Sequence, residues 1–189
     1  MRILKDDEFI RAKVPMTKEE VRTLSLVKMD IKENSRILDV GAGTGSVSIN
    51  AAVNCPKGEV IAIEKEDKAV ELIKLNIEKL GIDNMKVIHG MALEEIKALS
   101  GKFNSIFIGG SGGELEKIID ECYELLHEGG SIVLNFITLS NAVKAMDKLE
   151  EIGMEYECVQ VAVNRIKGKS KMILANNPIF IINGMKTKE

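Results

Sequence analysis

Five residues, Gly41-Ala42-Gly43-Thr44-Gly45, stand between the apolar run Arg36-Ile37-Leu38-Asp39-Val40 and a segment of helical spacing. Alternating glycines let a backbone turn tightly and let a ligand approach with no Cβ in the way. A dinucleotide fingerprint places its third glycine one residue later, where this chain has Ser46. The Gly-x-Gly-x-Gly spacing favours an adenosyl ligand without a pyrophosphate over NAD or FAD. Serine is small, so spacing alone does not decide between them. A purely structural turn is the plain alternative, and three alternating glycines in a strand-to-helix setting weigh against it.

Glu64 closes the next apolar run, Val60-Ile61-Ala62-Ile63-Glu64. An acid at that point of a doubly wound sheet can accept hydrogen bonds from both ribose hydroxyls. Alone it reads equally well as a solvated strand end; beside the glycine loop the ribose role is favoured. Ala92, in His89-Gly90-Met91-Ala92, falls where the chain passes the adenine, and Met91 either covers the base or fills the core. The loop Gly109-Gly110-Ser111-Gly112-Gly113 follows a further apolar run. At the carboxyl edge of an open α/β sheet it would border the ligand crevice. Gly110, Ser111 and Gly112 are thus candidate acceptor contacts, and none supplies a charged catalytic group. No Asp-Pro-Pro-Tyr-like amine clamp stands there, and Asn177-Pro178 comes too late for one and reads as structural.

Arg165, Lys167, Lys169 and Lys171 form an acid-free basic run. Its plain reading is a solvated hairpin tip, with an acidic substrate as the minority reading. His89 and His127 are isolated and lack metal-ligand spacing, so no metal site is expected. Tyr123 sits in a helical pattern and reads as packing. No side chain is identified as a general acid or base.

These residues need elements to position them. Thr17 and Glu20 read as the reciprocal pair of a capping box opening a helix to about Asp30. Residues 36–40 form a strand, 46–54 a helix, 60–64 a strand, and Asp67 caps a helix stopping at Gly81. Strands at 85–89, 103–108 and 130–136 alternate with helices at 93–99, 115–126 and 142–152. Two strands, near 155–163 and 171–182, then follow without a helix between them. Strand and helix in alternation predict an α/β fold, a mostly parallel sheet with helices on both faces. The final pair, joined by a short loop, must be antiparallel. The chain reads as one domain, residues 1–189, with an N-terminal segment and helix at 1–35 and a frayed tail at 186–189.

The chain has 189 residues, 26 basic and 29 acidic, for a formal net charge of -3. That balance excludes a global basic field for nucleic acid. Cys55, Cys122 and Cys158 are odd in number and far apart, which fits reduced thiols rather than a disulfide framework. Met1 to Glu8 lacks the apolar stretch of a signal peptide, and no run is long enough to span a membrane. A soluble, cytoplasmic protein is expected.

With these residues in view, the chain resembles the cobalt-precorrin-6B C15-methyltransferase (decarboxylating) family of anaerobic cobalamin synthesis, within the Rossmann-like class I methyltransferases. The resemblance covers nearly everything before the tail. It rests on Asp6-Asp7-Glu8-Phe9, Pro15-Met16-Thr17-Lys18-Glu19-Glu20-Val21-Arg22, the stretch from Asp39 through Gly45 to Ile49, Phe107 to Gly113, and Asn177-Pro178-Ile179-Phe180-Ile181-Ile182. The glycine loop is common to all class I methyltransferases. The Pro-Met-Thr-Lys-Glu-Glu-Val segment and the Gly-Gly-Ser-Gly-Gly loop discriminate far better together. Asn104 stands where the family pattern suggests aspartate.

The resemblance implies a seven-stranded sheet with an antiparallel last strand. It implies S-adenosyl-L-methionine as cofactor, bound by Thr17, Gly41, Ala42, Gly43, Thr44, Gly45, Glu64 and Ala92. It further implies methylation of a cobalt-precorrin at C15 with loss of carbon dioxide from the C12 acetate. A homotetramer, and a precorrin C5-methyltransferase as functional partner, follow from it too. The runner-up is a class I RNA methyltransferase, which would normally need a basic face for phosphates. A methyltransferase-like binding protein retaining only cofactor affinity is the non-enzymatic alternative.

Overall fold

A computed structural model describes residues 1–187. The elements run α1 Glu19–Lys28, β1 Arg36–Val40, α2 Ser46–Asn54, β2 Glu59–Glu64, α3 Asp67–Leu80, β3 Met85–His89, α4 Ala92–Ala98 and β4 Phe103–Ile108. They continue with α5 Leu115–Glu124, β5 Leu126–Phe136, α6 Leu139–Glu151, β6 Glu155–Val161, β7 Asn164–Lys167, β8 Met172–Ala175 and β9 Ile179–Met185.

Seven strands form one sheet in the order β3-β2-β1-β4-β5-β9-β6. β1 pairs in parallel with β2 and β4, and β4 in parallel with β5. β9 inserts between β5 and β6 and runs antiparallel to both. Both faces are buried, and the pleat sorts the side chains between them. Leu38, Val40, Ile106, Ile108, Ile132 and Leu134 meet Ile96 of α4, Ile119 of α5 and Leu149 of α6. Ile37, Phe107, Val133 and Ile181 point the other way, onto Val21 and Leu26 of α1 and Val47 and Ala51 of α2. A smaller cluster fastens the N-terminal segment: Leu4 and Phe9 pack on Ile49, with Ile77 and Leu80 of α3 alongside. Truncating Ile106, fully buried in the sheet centre, to alanine would cost about 2–5 kcal/mol.

The chain reverses its strand order between β1 and β4, which are neighbours. Their carboxyl ends therefore splay the following loops to opposite sides and open a crevice. The glycine loop leaves β1 there, and Gly109-Gly110 leaves β4 there.

Three local expectations need correction. The capping box does not form: Lys18 is the N-cap of α1, with no side-chain cap. The helix starts one residue later than the box requires, and the Glu20 carboxylate reaches Arg165 at 2.7 Å. A bidentate guanidinium is a stronger partner for a carboxylate than a backbone N–H. α1 also ends at Lys28, and Asp30 turns the chain at φ +48. Asp67 is the first residue inside α3, whose N-cap is Glu66; there it still faces the positive end of the helix dipole.

The chain end differs more. The strand predicted near 155–163 is β6, but the one near 171–182 breaks into β8 and the start of β9, and β8 pairs with β7 as a hairpin in a sheet of its own. Gly168 and Lys171 make its turn at φ +75 and +54. The tail is not frayed at Lys186, whose backbone exchanges hydrogen bonds with Gly129 and Gly130 and whose ammonium reaches the Tyr123 carbonyl at 3.0 Å. Lys188 and Glu189 of that predicted tail lie outside the described residues.

Candidate functional site

The glycine loop is held from both sides. Gly41 and Ala42 donate to the Ile63 carbonyl at 2.9 and 3.1 Å, and Gly43 donates to Glu64 Oε2 at 2.7 Å. The other carboxylate oxygen of Glu64 accepts from the Lys65 and Glu66 amides at 2.8 and 3.0 Å. Glu64 is thus a buried carboxylate held by three backbone donors at the end of β2.

Gly41, Gly43 and Gly45 all adopt positive φ, which L side chains rarely do. A Cβ on Gly41 would lie 2.8 Å from the Gly110 backbone, so the loops after β1 and β4 touch main chain to main chain. A Cβ on Gly43 would come within 3.2 Å of the Pro15 carbonyl oxygen. The sequence requires glycine here because three backbones converge.

Two cavities meet at this contact. The larger, about 740 Å³, is lined by Thr17 and its neighbours, Gly41 to Thr44, Glu64, Gly110, Ser111 and the end of β5. The smaller, about 140 Å³, is lined by Glu64, Met91, Ala92, Gly110, Ser111 and Gly112. Gly41, Glu64, Gly110 and Ser111 border both. Of the residues assigned to cofactor or acceptor from sequence, all but Gly45 line one cavity or the other. Gly45 is the N-cap of α2, and its Cα faces the Ile73 side chain of α3, 3.1 Å from an added Cβ. Its place is close helix packing.

Beneath the loop, Asp39 is fully buried. Its Oδ2 accepts from the Ser48 amide at 3.1 Å and from the Ser48 hydroxyl, while Oδ1 has no partner among the described residues. Burial pushes its carboxyl up to about 7; the Ser48 bonds oppose this and the Glu64 charge adds to it. The Thr44 hydroxyl is likewise buried without a partner among the described residues. Unpaired buried polar atoms are costly, so the loop is incompletely satisfied by the protein alone. That pattern, a glycine cradle with spare polar atoms and a ribose-type acid, fits an adenosyl group.

Several lining residues carry no sequence signal. Asn135 and Ile137 at the end of β5, and Asn141 of α6, line the larger cavity. Asn135 is oriented by Ser25 of α1, at 2.9 Å. The carboxyl-end rule, applied to the fifth strand as it was to the fourth, would have found them. Asn177, read as structural, also lines the cavity, because the short β8–β9 connection passes over it. Lys13, Lys18 and Lys68 are there as well.

The basic run does not remain a free tip. Arg165, in β7, pairs with Glu20 at 2.7 Å and Asp6 at 3.2 Å. Asp6 also takes Arg22 at 3.1 Å, and Arg22 stacks over the Phe9 ring. The Arg165 hydrogen bond holds the Glu20 carboxyl below the usual carboxylate range. Lys169 and Lys171 are exposed, and the Lys167 side chain lies outside the described ones. His89 contacts the Lys65 carbonyl and Asp67 on the surface, and His127 is exposed. Tyr123 packs under the Lys186 ammonium, 4.0 Å from its ring centre. The three cysteines are free, and burial raises the thiol pKa of each. Among the described residues no three His, Cys, Asp or Glu side chains gather as metal ligands, and no helix is long and apolar enough to cross a membrane.

The strand order, the antiparallel β9 and the glycine loop at the switch point together define the Rossmann-like class I methyltransferase fold. The solved precorrin-6y C5,15-methyltransferase of Geobacter metallireducens superposes with TM-score 0.92 at 38% identity, covering 97% of each chain. A Sulfolobus acidocaldarius protein named probable cobalt-precorrin-6B C(15)-methyltransferase (decarboxylating) is 43% identical over 185 residues, 96% of either chain. The cobalt-precorrin-6B C(15)-methyltransferase (decarboxylating) of Salmonella typhimurium is 39% identical over 183 residues, 95% of this chain and 94% of that one. The match to the precorrin methyltransferase domain spans residues 8–186, and the chain belongs to that family.

Proposed function

We propose that the chain uses S-adenosyl-L-methionine to methylate a cobalt-precorrin at C15, with loss of carbon dioxide from the C12 acetate. The observation that carries this is the meeting of two cavities at the Gly41–Gly110 contact, within a chain alike over its whole length to precorrin methyltransferases. Glu64 would hold the ribose, Met91 and Ala92 the adenine, and Thr17 with Gly41 to Thr44 the amino-acid portion. When bound, this cofactor supplies a methyl group made electrophilic by its sulfonium. A space of about 740 Å³ has the size of a cavity that takes a large organic ligand.

The protein's own share is positioning and exclusion of water, worth about 7–11 kcal/mol of barrier without an acid or base. Gly110, Ser111 and Gly112 let a bulky acceptor approach the backbone. The conjugated macrocycle supplies the electrons for methylation and the sink for decarboxylation. Incubation with cobalt-precorrin-6B and cofactor should give, by mass spectrometry, a product one methyl heavier and one carbon dioxide lighter. Methylation of transfer RNA in its place would favour the RNA reading, against which the formal net charge of -3 weighs.

The same reading places the protein in the cytoplasm as a homotetramer, with a C5-methyltransferase as functional partner. The exposed Ile166, Met172, Ile173 and Leu174 of the β7–β8 hairpin support self-association, since apolar strand edges seldom stay bare. Light scattering should report four chains; a monomer at working concentration would overturn that part.

A further inference from the structure

The larger cavity carries positive charge that the fold leaves without counter-ions. Lys13, Lys18 and Lys68 line it. Among the described residues none of these three ammonium groups has a carboxylate within 4.0 Å or a side-chain hydrogen bond. The guanidiniums nearby are different: Arg165 is taken by Glu20 and Asp6, and Arg22 by Asp6 and two backbone carbonyls.

Lys18 is the most telling. Partial burial lowers its pKa, and Arg11, Arg165 and Arg22 add repulsion; only Asp6 opposes them, and both its oxygens already serve guanidiniums. A poorly solvated cation crowded by like charges is stabilised by an incoming anion. The acids lining the cavity do not fill that role. Glu64 is held by three amides, and Glu66 lies 3.7 Å from Lys65. The remaining polar side chains of the lining are neutral: the amides of Asn135, Asn141, Asn176 and Asn177 and the hydroxyls of Thr17, Thr44 and Ser111.

We propose that Lys13, Lys18 and Lys68, which line the cavity, read the peripheral carboxylates of the tetrapyrrole acceptor, and that Lys169 and Lys171 of the β7–β8 turn, which do not line it, take no part. The inference rests on the proposed substrate. It assigns orientation of the macrocycle to the segment before α1 and the first turn of α3, the same elements that border the cofactor loop.

The test is equilibrium titration of cobalt-precorrin-6B, followed by its visible absorption, against K13Q, K18Q and K68Q. Each should weaken binding about three- to tenfold, the size of one partly screened ion pair. The triple variant should lose far more, with most of the salt dependence gone. KM for the macrocycle should rise while kcat and cofactor affinity hold, lysine-to-arginine variants should bind nearly as wild type, and K169Q/K171Q should change nothing. Unchanged macrocycle affinity in all three variants overturns the inference while wild-type turnover still supports the proposed function. A loss of cofactor affinity instead would also overturn it and assign the lysines to the methionine carboxylate. If the wild type neither binds nor methylates the macrocycle, the proposed function fails and the inference falls with it.

Discussion

Glu64 Oε2 accepts a hydrogen bond from the Gly43 amide at 2.7 Å, tying the end of β2 to the middle of the glycine loop. One carboxylate therefore shapes the cofactor loop and borders both cavities. Glu64→Ala removes an acceptor from three backbone donors as well as the proposed ribose contact. Charge-assisted bonds are worth about 1.5–3 kcal/mol, so cofactor affinity should fall tenfold or more. Glu64→Gln keeps one acceptor oxygen and should lose less. Titration calorimetry showing wild-type affinity for Glu64→Ala would take this residue out of the site.

Gly41 and Gly112 separate steric need from backbone need. Both have positive φ, but a Cβ at Gly41 would strike the Gly110 backbone at 2.8 Å, whereas at Gly112 nothing lies within 4 Å. Gly112→Ala should cost about 1 kcal/mol of stability, for strain alone. Gly41→Ala should cost more, about 2–4 kcal/mol, and should abolish cofactor binding by forcing the two loops apart. Thermal unfolding of the pair measures this; equal costs would show that the loops are not in contact.

Asp39 makes stability depend on pH in a stated direction. Its folded pKa, about 7, lies above its unfolded value of 3.8, so the folded state binds the proton more tightly. The favourable contribution is complete below about pH 4 and is lost as pH rises toward 7. An asparagine side chain at this position carries no such charge at any pH. The melting temperature of Asp39→Asn relative to wild type should therefore improve from pH 5 to about pH 8. A difference that stays flat over that range would show that Asp39 is ionised in the fold throughout.

No single side chain should prove indispensable as a general base. His89 and His127 lie outside both cavities, Tyr123 packs under Lys186, and Ser111 borders both cavities. Alanine at each position should leave turnover measurable at saturating cofactor, with Ser111→Ala slowest. Loss of decarboxylation in one of them, with both ligands still bound, would replace positioning by proton transfer.

Much of this was legible in the sequence because local pattern and tertiary need coincide. The run 36–40, the glycines after it and the helix at 46–54 all follow from period and backbone geometry. So does the place of Glu64 at the end of an apolar strand beside the glycine loop, whose Gly43 amide it accepts from. What escaped was set by distant partners. Thr17 and Glu20 have the spelling of a capping box, yet the helix starts behind Lys18, and Arg165, 145 residues away, claims the Glu20 carboxylate. β7 lay in the loop read between 163 and 171, and β8 lay inside the strand read near 171–182, since period two cannot show where a strand leaves its sheet. Asn135, Asn141 and Asn177 are ordinary residues made functional candidates only by where β5 and β9 end.

In the proposed function, the Gly41–Gly110 junction directs a methyl group to C15 of a cobalt-precorrin while the C12 acetate is lost. Nuclear magnetic resonance of the product formed with isotopically labelled methyl donor tests it most directly. The expected product carries one labelled methyl at C15, none at C5, and a C12 methyl where the acetate had been. Label at any other ring carbon, or an intact C12 acetate after full methylation, would contradict it.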